Sequence, residues 1–341
     1  MKSFTVDLHC HALSLKVEQL VAGCPEKAAE AAAQLRTYGA ESMEYNRKFI
    51  PTLAPQLTDI NRRLRDMDAM GVDMQVVSPA PNQYYYWADV DLAKQIVATQ
   101  NEHIASMCAE HPDRIAGLGN IALQHAELSV EQLTDCVRKF GLRGVEISSA
   151  VNGAELDDPR FSRFWAKAEE LGCLVFLHPF GTTIGDRVNQ CYLGNTIGQP
   201  LETTIALSHL IFGGVLDRHP GVRICAAHGG GYLPSYIGRS DHANRVRPEA
   251  AKINRKPSEY LKQIYFDSLV YTPEGLRHLI EEVGVTQIVA GTDYPFDMGA
   301  YETHDLVASV PGLSKAERDL ILGGNAVRLL GLKPTKRVIG A

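Results

Sequence analysis

Short apolar runs rich in Val, Ile and Leu recur along the chain at residues 5–9, 74–78, 115–121, 144–148, 174–178, 222–228, 264–268 and 287–293. Each has the length of a buried strand. Between them lie stretches with helical start and stop signals. DPRFSRFWAKAEELG, residues 158–172, offers Asp158 as an N-cap and Gly172 as a stop; TPEGLRHLIEEVG, residues 272–284, offers Thr272 and Gly284 in the same roles. Strand then helix, repeated eight times, predicts a (β/α)8 barrel of the TIM type. A doubly wound open sheet is the rival arrangement, but it would bring a Gly-rich phosphate turn after its first strand, where this chain has His-Cys-His.

Such a barrel takes about 250 residues, so of the 341 present roughly 90 remain for insertions. The largest falls after the first strand, at about 14–61, and contains the Ala-rich helical stretch PEKAAEAAAQLRTYGAESMEYNRKF. Loops at that end of a barrel shape the active site. The insertion is therefore read as a lid or a dimerisation arm, with a surface helical hairpin as the plainer alternative. No internal repeat or low-complexity linker divides the chain, and a single domain over 1–341 is expected.

Composition narrows the function. The chain is 45% hydrophobic and 22% charged, with a net charge of −6 and dispersed Lys and Arg, so it carries no footprint for nucleic acid or an anionic membrane. A small molecule is the expected partner. The sequence shows neither a secretory leader nor a run of about 18 apolar residues, which points to the cytoplasm. Seven cysteines, an odd number without C-x-x-C, fit reduced and mostly buried thiols.

The chemistry lies at the strand ends. In FTVDLHCHAL, His9 and His11 are two apart, so both rings project from one face of a strand while Cys10 faces away and is excluded as a ligand. Alone, such a pair is weak evidence. The fifth strand, however, ends LVFLHP at His178, the sixth ICAAHGGG at His228 and the eighth IVAGTDYPF at Asp293. Barrel enzymes place their catalytic groups at these C-terminal ends, and each residue is a potential metal ligand or acid/base. In SPAPNQYYYWADV, Tyr84, Tyr85, Tyr86 and Trp87 are placed to stack on a planar substrate, or else to anchor their own loop. Phe296 joins the substrate-facing set, and Arg187, after the fifth strand, is a candidate anion binder.

The strand-end set HxH, H, H and D, with RDMDAMGVDMQVVS, HPDRIAGLGNIALQ, FGGVLDRHPGVRICAAHGGG and GGNAVRLLGL, resembles the amidohydrolase superfamily. More narrowly it is similar to the metal-dependent decarboxylases related to 2-amino-3-carboxymuconate-6-semialdehyde decarboxylase. The resemblance implies one divalent ion, usually Zn2+, held by His9, His11, His178 and Asp293, with His228 as acid/base beside its water. Mn2+, Fe2+ or Co2+ would also suit such ligands. Two-metal members commonly use a strand-four lysine; the run here is RGVEISS, so a mononuclear site is expected, with Glu146 a minor ligand candidate. The resemblance further implies a homodimer in which Arg239 serves the neighbouring site. Where the muconate-type enzymes have Phe-Arg-Pro, this chain has Phe49-Ile50-Pro51, which points to a different acid. The reaction expected is decarboxylation of a conjugated or aromatic acid in aromatic catabolism. The alternative is hydrolysis or hydration of a ring-cleavage product by the same metal-activated water.

Overall fold

The computed structural model describes residues 3–334. Its main strands, numbered here by order in the barrel, are β1 (Val6–Ala12), β2 (Met74–Pro79), β3 (Ile115–Gly117), β4 (Gly144–Ile147), β5 (Leu174–Leu177), β6 (Arg223–Ala226), β7 (Tyr265–Asp267) and β8 (Ile288–Val289). β1 to β3 form one parallel sheet and β4 to β8 a second, each in chain order. Two seams join them. At the first, the Gly119 amide donates to Gly144 O at 2.9 Å and the Glu146 amide to Gly119 O at 2.9 Å. At the second, Leu8 donates to Ala290 O at 2.9 Å, Asp293 to His9 O at 2.8 Å and His11 to Tyr294 O at 2.8 Å. No sheet edge is left open between them, and the (β/α)8 barrel expected from the alternation is closed.

The helix signals act as read, with one shift. Thr272 Oγ1 accepts the Gly275 amide at 3.0 Å ahead of the helix Pro273–Val283, which stops at Gly284. Asp158 caps a 3₁₀ turn, Pro159–Phe161, and the helix proper is Ser162–Leu171, ended by Gly172 in the left-handed region. Proline after the cap starts the tighter turn first.

β1 carries a β-bulge. Asp7 pairs with Gln75 and Cys10 with Val77, so three steps on β1 match two on β2. Before the bulge, Val6 and Leu8 pack with Met74, Val76, Phe176 and Val289. After it the parity changes: His9 and His11 meet the ring of His178, whereas Cys10 and Ala12 join the outer core beneath the helices. Asp7, now on the outer side, accepts from the Gln75 amide at 2.9 Å and the Thr292 hydroxyl at 2.7 Å. Arg63, buried, donates to Gln75 at 2.9 Å and to the His11 carbonyl. This polar network braces the bulge from behind.

At the N-terminal end, Leu329 and Leu330 from the helix Asn325–Leu330 pack on Val6 and Leu174, and Arg223 donates to Leu329 O at 3.0 Å. That end is plugged, which leaves the C-terminal mouth for chemistry. The insertion crosses the mouth as the helix Pro25–Phe49, broken at Gly39 (φ 77°), where a Cβ would lie 1.8 Å from Asn189 O. Among the described residues, no helix is long and apolar enough to cross a membrane, and all seven cysteines are free thiols.

Candidate metal centre

β1, β5 and the turn after β8 deliver His9, His11, His178 and Asp293 to one point at the mouth. Each offers a ligand atom, and these atoms lie within 4.8 Å of one another. Asp293 Oδ1 is 3.3 Å from both His9 Nε2 and His11 Nε2. The Nε2 atoms of His9, His11 and His178 and Asp293 Oδ1 are all buried and make no hydrogen bond. Four such groups would cost about 1–3 kcal/mol each if left unpaired. Three imidazoles and a carboxylate aimed at a common centre fit a divalent cation, whose bonds to such atoms are about 2.0–2.2 Å.

The opposite ring nitrogens are held, as a metal site requires. His9 Nδ1 pairs with Asp267 Oδ2 at 2.6 Å, His178 Nδ1 with Pro179 O at 2.9 Å, and His11 Nδ1 lies 3.1 Å from Ser78 Oγ and 3.3 Å from Pro79 O. All three rings thus turn Nε2 inward. Asp267 is fully engaged, because it also accepts the backbone amides of His228 (2.9 Å), Gly229 (2.8 Å) and Leu269 (3.1 Å).

Electrostatics follow from the crowding. Burial disfavours a charged His9, but Asp293 and Asp267 outweigh it and push the imidazole up to about 10. Burial likewise opposes an ionised Asp293, yet His9, His11 and His228 hold its carboxyl well below the usual range. His178, buried and facing the other imidazoles, is held well below its ordinary value and stays neutral. His228 stands at the rim, its Nε2 3.8 Å from Asp293 Oδ2 and its side chain 15% exposed. Both His228 (φ 55°) and Asp293 (φ 59°) adopt the left-handed backbone region, a strain that strand-end functional residues commonly carry.

Glu146 is not among the four converging groups. It lies behind His11, 3.5 Å from Nδ1, and accepts from Ser78 and from the Tyr84 hydroxyl at 2.6 Å. Two expectations are corrected here. Tyr84 does not line the cavity: its ring is buried and its hydroxyl is spent on Glu146 and on His178 O at 3.1 Å. Trp87 is not among the residues lining the cavity; it packs on Tyr85 at 5.4 Å, with its side chain beside Glu30 of the insertion. Phe296 does line the cavity, against the His11 ring at 5.5 Å. Arg187 and Arg239 are exposed and outside the wall of this chain's own cavity. The cavity, about 340 Å³, reaches from His178, His228 and Asp293 to Lys27, Glu30 and Tyr38 of the insertion.

Asp267, one residue short of the end of the seventh apolar run at Ser268, was not among the expected site residues. Neither was Asp7, whose role depends on the bulge.

The chain matches the amidohydrolase family over residues 6–332. It is 38% identical to the 2-amino-3-carboxymuconate-6-semialdehyde decarboxylase of Dictyostelium discoideum over 291 residues, 85% of this chain and 81% of that protein. It is 28% identical to the gamma-resorcylate decarboxylase of Rhodococcus jostii over 317 residues, 86% of this chain and 95% of that one. A dihydroxybenzoic acid decarboxylase of Polaromonas, solved with bound manganese and 2-nitroresorcinol, has a TM-score of 0.81 at 24% identity, covering 97% of this chain and 98% of that one. At that identity the likeness speaks for the fold.

Proposed function

Because the chain belongs to the amidohydrolase family, we propose that its metal centre serves the decarboxylation of a conjugated or aromatic carboxylic acid, as a carboxy-lyase of aromatic catabolism. The observation that carries this reading is the convergence of four orphaned donor atoms beside a rim histidine, in a chain whose curated relatives are decarboxylases. When bound by His9, His11, His178 and Asp293, a divalent ion supplies positive charge that attracts substrate oxygens and stabilises an electron-rich ring. His228, partly open to solvent, faces Asp293 Oδ2. The pair is placed to act as the proton donor to the carbon bearing the carboxylate. A C–H bond forms there, the C–C bond to the carboxylate breaks, its electron pair returns to the conjugated system, and carbon dioxide leaves. Phe296, Phe180 and Leu57 give the cavity wall apolar surface.

The finer assignments belong to this proposal. Zn2+ is the expected ion, and Mn2+ is its competitor, since it is the metal bound in the Polaromonas enzyme. The substrate carboxylate is assigned to Arg239 of the partner subunit in a homodimer. In its own chain Arg239 is exposed on the helix Leu233–Val246, on which Tyr236 is also exposed. Mixing Arg239→Ala with Asp293→Ala protein should restore part of the activity; no recovery after demonstrated subunit exchange removes the assignment. The reaction itself is tested by turning over conjugated acids in D2O with Zn2+- or Mn2+-loaded protein. Carbon dioxide and one deuterium at the former carboxylated carbon are expected. A product that gains water and keeps its carboxylate would overturn the proposal.

A further inference from the structure

The insertion brings charge to the cavity wall where it continues into a lobe lined by none of the metal ligands. Among the described residues, Lys27 is the one permanently cationic side chain on the cavity wall. Its charge is already taken: the ammonium lies 3.4 Å from Glu18 and 3.8 Å from Glu30 and donates to the Tyr85 hydroxyl. Two carboxylates share this one ammonium; burial pushes the Glu30 carboxyl above its ordinary value while Lys27 and the Trp87 side chain favour its ionised form, in which this part of the wall is net negative. Glu30, with its side chain 18% exposed, also lines an adjoining lobe of about 290 Å³, which shares Gln34, Tyr38 and Phe180 with the main cavity. That lobe contains a further carboxylate, Glu202, which accepts from the Thr183 amide at 2.6 Å and the Thr182 hydroxyl at 3.1 Å. Asp297 adds a carboxylate to the main cavity wall.

We infer that Glu30 is a specificity residue, a charge filter on the insertion helix that rejects acids with a second carboxylate distal to the metal and favours those with a neutral hydrogen-bond donor there. The inference rests on the proposed carboxylate chemistry and narrows it. A distal hydroxyl or amine meets carboxylate acceptors. A distal carboxylate meets like charge in a cavity where, among the described residues, no lysine or arginine of this chain's wall is free to compensate.

The test compares matched pairs on Mn2+-loaded protein: 4-hydroxybenzoate against terephthalate, and 3-hydroxybenzoate against isophthalate. Binding is read by calorimetry, and kcat/KM is measured wherever carbon dioxide is released. The hydroxy acid of each pair should bind at least about tenfold more tightly, and Glu30→Gln should shrink that ratio at least about threefold, through Kd and KM rather than kcat. Wild-type protein without the preference, or an unchanged ratio in folded Glu30→Gln, overturns the inference. If Glu30→Gln does not fold, the wild-type ratio still decides, and Asp297→Asn receives the same comparison. Since binding is read apart from turnover, an intact preference without decarboxylation counts against the proposed function and leaves the filter standing.

Discussion

Asp267→Asn isolates the residue that the site uses most heavily without a metal bond. Asp267 accepts four hydrogen bonds, from His9 Nδ1 and His228 N on one oxygen and from Gly229 N and Leu269 N on the other. Asparagine keeps the shape but offers one acceptor oxygen, so its NH2 must face two donors. Two charge-assisted bonds are lost, each about 1.5–3 kcal/mol, and the variant should lose about 3 kcal/mol of stability or more. Loss of the partner that fixes the His9 ring should weaken metal binding about 10- to 100-fold, or about 1.4–2.8 kcal/mol. The assay is competition for Zn2+ or Mn2+ against a chelator of known affinity, with chemical denaturation alongside. A folded variant that keeps wild-type metal affinity within about twofold refutes the view that Asp267 orients His9.

Metal uptake should release a proton. His9 is a cation in metal-free protein, raised from 6.5 to about 10, so its stabilising charge is complete below pH 6.5 and lost as pH rises through about 10. Between those values the ion displaces that proton, and affinity should rise about tenfold per pH unit. Calorimetry in buffers of different ionisation enthalpy reads the proton directly, and a pH-independent affinity contradicts it. His228→Asn should retain the metal yet lose activity by about 10² or more at neutral pH. Elemental analysis with initial rates separates that result from loss of the ion, which would make His228 a ligand.

Much of this was legible because a closed barrel ties strand order to function. The end of an apolar run at His178, His228 or Asp293 is also the mouth of the barrel, so reading strand ends amounted to reading the site. Loop direction was less accessible. Tyr84 and Trp87 sit in a run of aromatics whose composition suits substrate and packing equally, and the structure assigns them to Glu146 and Tyr85. Strict alternation would have placed Asp7 beside His9 and His11; the bulge between Asp7 and Cys10 sends it to the outer side. The insertion announced itself as helical, but only folding shows which of its residues, Lys27, Glu30 and Tyr38 among them, reach the cavity.

The seam between β1 and β8 closes the barrel and also supplies three of the four candidate ligands, so closure and metal binding should be inseparable. Gly291 lies at that seam. A Cβ there would stand 2.8 Å from His9 Cβ and 2.9 Å from Asp267 Cβ, both side-chain roots that cannot swing aside. Gly291→Ala must therefore push β8 away from β1 and β7, at a cost of about 1–3 kcal/mol for overpacking. The same shift moves Asp293, whose amide bonds His9 O at 2.8 Å, and strains the 2.6 Å pair between His9 and Asp267. Stability and metal affinity should fall together in this variant, whereas a substitution in the barrel floor, such as Leu329→Ala, should lower stability alone. Denaturation midpoints set against chelator-competition constants test the coupling. Gly291→Ala protein that is destabilised but binds metal as the parent does would show that the seam closes the barrel without setting the site.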